Sequence, residues 1–284
     1  MRGVFGMGRQ QVTVPHRVLR VDASEYPYVP GQWVTMFVYQ RGRLVNRYGL
    51  QIRPARNGTS GQVSYAIRAP GAGQLVVVVR HDATTALGAF SARHALTVLD
   101  DRAGFGSRAP FIALIQRRLA ALHFYIPQTG VYDNGTALAL DAYHRLMGWG
   151  TSPSLDSRVA SALLSGDGRF PVRYSGDGRH AEANLSKQLL GLIDRGRVVW
   201  LFPISSGKSS TPTILGRFHV YLKTPGYLPD GMYFSSFFSG GYAVHGYDPA
   251  PDFPDSHGCV RLPIPDAVAA YNWRHMGDGV DVYY

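Results

Sequence analysis

Cys259 is the chain's one cysteine. No disulfide can form within the chain, and cysteine content fixes no redox compartment. Lysine is scarce, and the cationic residues are nearly all arginine. They stand singly or in short pairs such as Arg117-Arg118, never as a basic arm. With no nucleic-acid motif beside them, the net charge of +10 suits a solvated surface or an acidic polymer better than DNA. Long apolar runs are also missing. None exceeds a strand-sized run such as Leu75 to Val79, and nothing approaches the ~18 residues of a membrane-crossing helix. The start, Met1 to Gly8, lacks the apolar stretch of a signal peptide. Cytoplasmic residence is the literal reading of such a start; a removed targeting segment is the other.

What is present supports ordinary folding. Hydrophobic residues make up 45% and charged residues 17% of 284. That is enough for two or three packed cores and too much for wholesale disorder. Residues 10–101 read as strands: Trp33 to Tyr39, Val63 to Arg68, Leu75 to Val79 and Ala95 to Leu99, punctuated by Pro30-Gly31, Arg41-Gly42, Asn57-Gly58 and Pro70-Gly71. Short strands with such turns predict an immunoglobulin-like β-sandwich. His16, His81 and His94 read there as isolated surface or turn residues.

The period then changes. Ile112, Ile115, Leu119 and Leu122 recur at helical spacing. Further helices fit Thr136 to Leu146 and Asp156 to Leu164, the last capped by Ser154 or Asp156. Residues 108–168 are therefore expected to form a small three-helix bundle. Residues 172–284 read as a mainly β domain. In it Asp194-Arg195-Gly196-Arg197 makes a hairpin turn, Gly216 to Leu222 alternates as one strand, and a helix covers Ile264 to Arg274.

The chemistry concentrates between Ala243 and Leu262. A thiol is a strong nucleophile only as thiolate, and an adjacent imidazole can take its proton. His257 lies two residues before Cys259 and His245 fourteen before it, a span that a loop can fold back across. Pro249, Pro251 and Pro254 stiffen that loop. Gly258 frees the backbone beside the thiol so that N–H groups can approach a substrate carbonyl. Arg261 offers a fork suited to a carboxylate. Two other readings stand beside this one: zinc held by Cys259, His257 and His245, and a merely structural cysteine. The close His-Gly-Cys spacing and the lack of a second cysteine or an obvious carboxylate ligand weigh against zinc. The aromatics Tyr227, Tyr233, Phe234, Phe237, Phe238 and Tyr242 read either as core packing or as the wall of a substrate groove.

Ser256-His257-Gly258-Cys259-Val260-Arg261, with Val244-His245-Gly246 upstream, resembles the signature of L,D-transpeptidases with a YkuD-type catalytic domain. Asn184 to Gln188 resembles that family's first strand. Pro203 to Lys208, Thr211-Pro212-Thr213 and Gly216-Arg217-Phe218 resemble its central strands and turn. The loop between His245 and Ser256 is several residues shorter than in many members. The helical segment resembles the small peptidoglycan-binding domain through Leu114, Gln116, Leu119, Leu122, Gly130 to Asp133, Thr136, Ala139 and Tyr143-His144. Leu122-His123-Phe124-Tyr125 stands where that family usually has Leu-Gly-Tyr, and Tyr143-His144 where it has Phe-Gln.

The resemblance implies a multidomain fold ending in an L,D-transpeptidase-like domain. It implies Cys259 as nucleophile and His245 as proton acceptor and donor, its tautomer held by the Gly246 carbonyl. His257, Ser256, Gly258 and Gly246 would support the site or its oxyanion donors; Arg261 and Tyr233 would meet substrate. It implies peptidoglycan stem peptides as substrate, 3→3 cross-links formed through a thioester, sensitivity to carbapenems, and work outside the cytoplasmic membrane. No metal or organic cofactor is expected, nor any nucleic-acid partner; anionic wall polymers are further partners. Hydrolysis of the thioester by water, as in an L,D-carboxypeptidase, and a catalytically dead wall-binding scaffold are the competing outcomes.

Overall fold

Alternating apolar residues put one face of several N-terminal strands into a core. The computed structural model describes residues 1–284, which divide into two compact units, Met1–Arg102 and Ala103–Tyr284. The first unit is built from β1 (Phe5–Met7), β2 (Gln10–Thr13), β3 (Val18–Glu25), β4 (Trp33–Gln40), β5 (Arg43–Gln51), β6 (Arg53–Pro54), β7 (Gly61–Arg68), β8 (Gly73–His81) and β9 (Phe90–Val98). One sheet runs β1-β2-β9-β8-β4-β5 and the other β3-β7-β6. Leu19 and Ile67 of the smaller sheet share a core with Met36, Leu75, Val77 and Val98 of the larger. The Arg41-Gly42 turn is a two-residue hairpin: Gln40 pairs with Arg43, and φ is 49° and 80° at the two residues between, as a type I′ turn needs. His81 departs from the expected surface position. It is 1% exposed, bonded to Gly88 O and Gln32 Oε1 and stacked on Phe90. The ring fills a core position because both nitrogens find partners there.

The second unit opens with α1 (Pro110–Ala121), α2 (Asn134–Met147) and α3 (Ser157–Ser165). Proline begins α1, where its missing N–H costs nothing. Asp133 and Asp156 cap α2 and α3 through Thr136 N and Val159 N at 2.9 and 2.8 Å, and Gly148 and Gly166 end them in the left-handed conformation. Buried Gln116 of α1 donates to Val131 O and Thr136 Oγ1, both at 2.9 Å, and accepts from Gly130 N at 2.8 Å. One side chain thus fixes the whole turn before α2.

The strands β10 (Arg179–Asn184), β11 (Leu189–Asp194), β12 (Arg197–Pro203), β13 (Gly216–His219) and β18 (Gly279–Tyr283) make a sheet of order β12-β11-β10-β18-β13. A second sheet, β14-β15-β16-β17, joins β14 (Leu222–Tyr227), β15 (Tyr233–Ser239), β16 (Tyr242–Gly246) and β17 (Val260–Leu262). Ala183, Leu192, Phe202 and Val282 of one sheet and Phe238, Val244 and Val260 of the other meet in a single core. Helix α4 (Ile264–Trp273) packs on β15 and β16. The segment after α1 covers the edge of β12: Leu201 N donates to His123 O at 2.8 Å and Tyr125 N to Leu201 O at 3.0 Å. From α2, buried Arg145 donates to Gln188 O and Ile204 O and pairs with Asp141 at 2.5 Å. The helices and the first of these two C-terminal sheets are therefore knit by backbone as well as side-chain bonds.

Two expected strands come out differently. Gly216 to Leu222 is split between sheets: Val220 N turns to Asp278 O and Tyr221 N to Phe237 O. The alternation persisted because Val220 is buried at the crossing itself. Asn184 to Gln188 is mostly a turn between β10 and β11, closed by Lys187 N donating to Asn184 Oδ1 at 2.9 Å.

Candidate active site

Parallel strands need a crossover of a dozen or more residues, and residues 247–259 between β16 and β17 supply it. The register pairs Val244 with Val260, His245 with Arg261 and Gly246 with Leu262. This pairing sets the end of the His245 strand beside the strand that Cys259 leads into. The crossover is pinned to the segment after β12. Asp255 N and Ser256 N both donate to Ser206 O at 2.9 Å, and Lys208 N donates to Ser256 O at 3.0 Å. Ser205 Oγ donates to Phe253 O at 2.6 Å.

Ser256 is fully buried and holds the next turn. Its hydroxyl donates to Cys259 O at 2.6 Å and accepts from Gly258 N at 3.0 Å. The Gly258 N–H is thereby engaged within the turn. Gly258 itself has φ of 116°, and a Cβ there would stand 2.6 Å from the Tyr242 ring; conformation and space both demand glycine. Gly246 is required for a different reason. A Cβ on it would meet Ala267 Cβ at 2.6 Å and Tyr233 Cδ1 at 3.2 Å, so its absence lets α4 close on the strand.

His245 is 2% exposed, and its Nδ1 lies 2.9 Å from Gly246 O. A carbonyl can only accept, so Nδ1 carries the proton and Nε2 keeps its lone pair. Burial pushes the imidazole down to about 4; the Gly246 bond opposes this, the Arg261 charge adds to it, and Asp230 opposes it. Cys259 is half-buried, with its thiol directed to Gly241 O at 3.5 Å. Burial also raises the thiol, against the Ala243 N–H and the Arg261 charge, while Asp230 adds to the rise. The same two charges, Arg261 and Asp230, act on both groups. Both groups rest uncharged: a thiol and a neutral imidazole.

Arg261 is nearly buried and committed to the crossover. Nη1 meets Asp255 Oδ2 at 3.3 Å, and the guanidinium lies 4.0 Å over the Tyr247 ring. His245 meets that ring edge-on at 5.8 Å. Tyr233 pairs with Gly246 and packs at a tilt against Tyr227, 4.3 Å between ring centres. His257 points elsewhere: it is exposed, with Nε2 3.3 Å from Lys208 Nζ. No three His, Cys, Asp or Glu side chains converge as metal ligands do.

The structure thus brings His245, Arg261, Tyr233, Gly246, Ser256, Gly258 and Cys259 onto adjoining strands and one turn, with His257 on the outside of that turn. Sequence reasoning missed Asp230, Tyr247 and the Ser205-Ser206 clamp. Asp230 lies in a β14–β15 loop with no motif around it. Tyr247 directly follows Val244-His245-Gly246, and that adjacency was its one signal.

Residues 178–282 match the L,D-transpeptidase catalytic domain, YkuD. Among solved structures, an L,D-transpeptidase from Xylanimonas cellulosilytica is 30% identical, with a TM-score of 0.58 over 64% of this chain and 97% of that one. An L,D-transpeptidase from Stackebrandtia nassauensis is 18% identical, with a TM-score of 0.42 over 66% of this chain and 97% of that one. A search of curated proteins returns no match. No helix is long and apolar enough to cross a membrane. With 97% of that solved Xylanimonas cellulosilytica chain, a segment of its protein, covered at 30% identity, this chain belongs to the L,D-transpeptidase family.

Proposed function

We propose that the chain is a cysteine acyltransferase that joins peptidoglycan stem peptides. The observation that carries this reading is His245, neutral and tautomerically fixed by Gly246 O, on the strand beside the one that follows Cys259. In the first step the Cys259 sulfur attacks the carbonyl carbon of the third, L-centred residue of a tetrapeptide stem. Its proton passes to His245 Nε2. The tetrahedral adduct collapses, the C–N bond breaks, and the imidazolium gives its proton to the departing amine of terminal D-alanine. In the second step an amine of another stem attacks the thioester and loses a proton to Nε2. The sulfur leaves and recovers that proton, and a 3→3 cross-link remains.

Because thiol and imidazole both start neutral, proton transfer accompanies attack rather than preceding it. The Cys259 N–H is our candidate oxyanion donor, since the Gly258 N–H is held by Ser256. Arg261 orients the crossover loop through Asp255 and Tyr247 and presents its guanidinium to a substrate carboxylate; Tyr233 lines the donor groove. Ser256, Gly258 and Gly246 shape the turn, and His257 supports it from outside with Lys208.

We assign residues 172–284 to catalysis, 108–168 to a peptidoglycan-binding-like helical domain, and 10–101 to an immunoglobulin-like sandwich. The strand order supports the last. A three-stranded β3-β7-β6 sheet faces a sheet in which β2 runs parallel to β9, and the Arg2–Arg20 bridge sets the chain start beside β3, much as in that fold. The enzyme would work outside the cytoplasmic membrane, where its substrate lies. The test is incubation with purified tetrapeptide-stem muropeptides and mass analysis of products. A dimer lighter by one D-alanine and absent with Cys259→Ala supports the reading. Tripeptide monomers alone would assign a carboxypeptidase, and no product a non-catalytic scaffold.

A further inference from the structure

We propose a second binding site, for an acidic polymer, in a groove between the end of α1, the residues after α3 and the β11–β12 hairpin. The groove has a volume of about 810 Å³, and Arg118, Arg169, Arg197 and His123 line it with no carboxylate among its lining residues. Leu122 and Phe170 supply an apolar floor. None of its lining comes from the Tyr227 to Leu262 region that forms the candidate active site. The inference rests on the groove alone and stands or falls separately from the cysteine chemistry.

Three features make this more than scattered surface charge. The first is concentration: four cationic or protonatable side chains share one concavity, whose low-dielectric walls focus their field. The second is preorganisation. Arg118 Nε donates to Leu163 O at 3.0 Å, which fixes the stem and plane of its guanidinium, and planar forks suit phosphate and carboxylate. The third is His123. Its backbone has φ of 71°, a left-handed conformation that costs a residue with a Cβ on the order of 1 kcal/mol. Its side chain is exposed, so no core packing offsets the strain. Its carbonyl accepts from Leu201 N, a bond that glycine would make equally well without strain. A strained residue at a concave surface points to a role for its side chain, and here that side chain lines the cationic groove.

The ligand that fits carries repeated negative charge on a flexible chain, with carbons to lie on the apolar floor. Phosphodiester and polycarboxylate polymers share this chemistry. Nucleic acid fits less well, because Phe170 is buried and His123 is left as the groove's single exposed ring, too little for successive bases to stack on.

The test is titration of the full chain with poly(glycerol phosphate) and, separately, with poly-L-glutamate, at several salt concentrations. Binding that weakens with salt is expected for at least one polymer, and the better one identifies the charged group. The double variant Arg169→Glu/Arg197→Glu should bind at least ten-fold more weakly while carbapenem acylation proceeds at the parent rate. Arg9→Glu/Arg43→Glu, equal in charge change and remote in sequence, should stay within two-fold of the parent. His123→Gly should bind several-fold more weakly with an unchanged or higher Tm. Absence of binding to both polymers at low salt overturns the proposal, and so does equal weakening by the two charge reversals. A lower Tm with unchanged affinity in His123→Gly removes the role given to that residue.

Discussion

His245 Nδ1 and Gly246 O are 2.9 Å apart, so the imidazole donates to its neighbour's carbonyl and keeps Nε2 free. With burial holding the group down to about 4, His245 is already a competent base well below neutrality. The acid limb of kcat/KM should fall near pH 4, with no inflection between 6 and 7. His245→Gln should lower the acylation rate by roughly 10²–10⁴-fold at unchanged fold. An acid limb centred near 6.5 would contradict the neutral-pair account.

The same shift is a stability statement. A folded value of about 4 against ~6.5 unfolded means that the unfolded chain binds more protons in that window. Stability from this group is complete above ~6.5 and is lost as pH falls towards 4. Asp266 does the opposite. Burial pushes its carboxyl up to about 7, so the folded chain binds more protons, and stability falls as pH rises from ~4 to 7. Each effect is on the order of 3 kcal/mol, and in the parent they largely offset. Denaturant titrations from pH 4 to 7 should therefore show opposite slopes in two variants: Asp266→Asn loses stability on acidification and His245→Gln gains it. Parallel slopes would refute this.

Glycine 258 and glycine 246 are both needed, for separable reasons. Gly258→Ala sets a Cβ against the Tyr242 ring at a left-handed φ and distorts the cysteine turn. Acylation should drop at least 10²-fold with a modest Tm loss. Gly246→Ala collides with Ala267 in α4, an overpacking that costs about 1–3 kcal/mol and should show first as a lowered Tm. Circular dichroism melts beside acylation rates separate the two.

Arg145 is the clearest tie between helices and sheets. Replacing it by Met leaves the carbonyls of Gln188 and Ile204 and the Asp141 carboxylate without their buried partner. A loss of about 3–5 kcal/mol is expected. Because this anchor ties α2 to the residue before β11 and the residue after β12, residues 103–284 should still unfold in one transition, as calorimetry can show.

Much of this was legible in the chain. Asp156 marks the start of its helix by residue type alone, Arg41-Gly42 marks a break between strands, and Asp194-Arg195-Gly196-Arg197 announces a hairpin. The Cys259 and His245 segments stand out because few residue types can do their chemistry. Strand β5 was silent because nearly all its side chains are exposed, leaving no apolar alternation to read. Val220 misled by continuing an alternation across a change of sheet. The turning of His257 towards Lys208 depends on a bond between segments distant in sequence, and no local pattern encodes it.

The central claim is that Cys259 is an accessible nucleophile served by His245. The most direct test is intact-protein mass after mixing the chain with a carbapenem, alongside Cys259→Ala. The account predicts one adduct per chain on the parent, none on Cys259→Ala, and slow formation on His245→Gln. An unmodified parent, or an adduct that persists in Cys259→Ala, would contradict it.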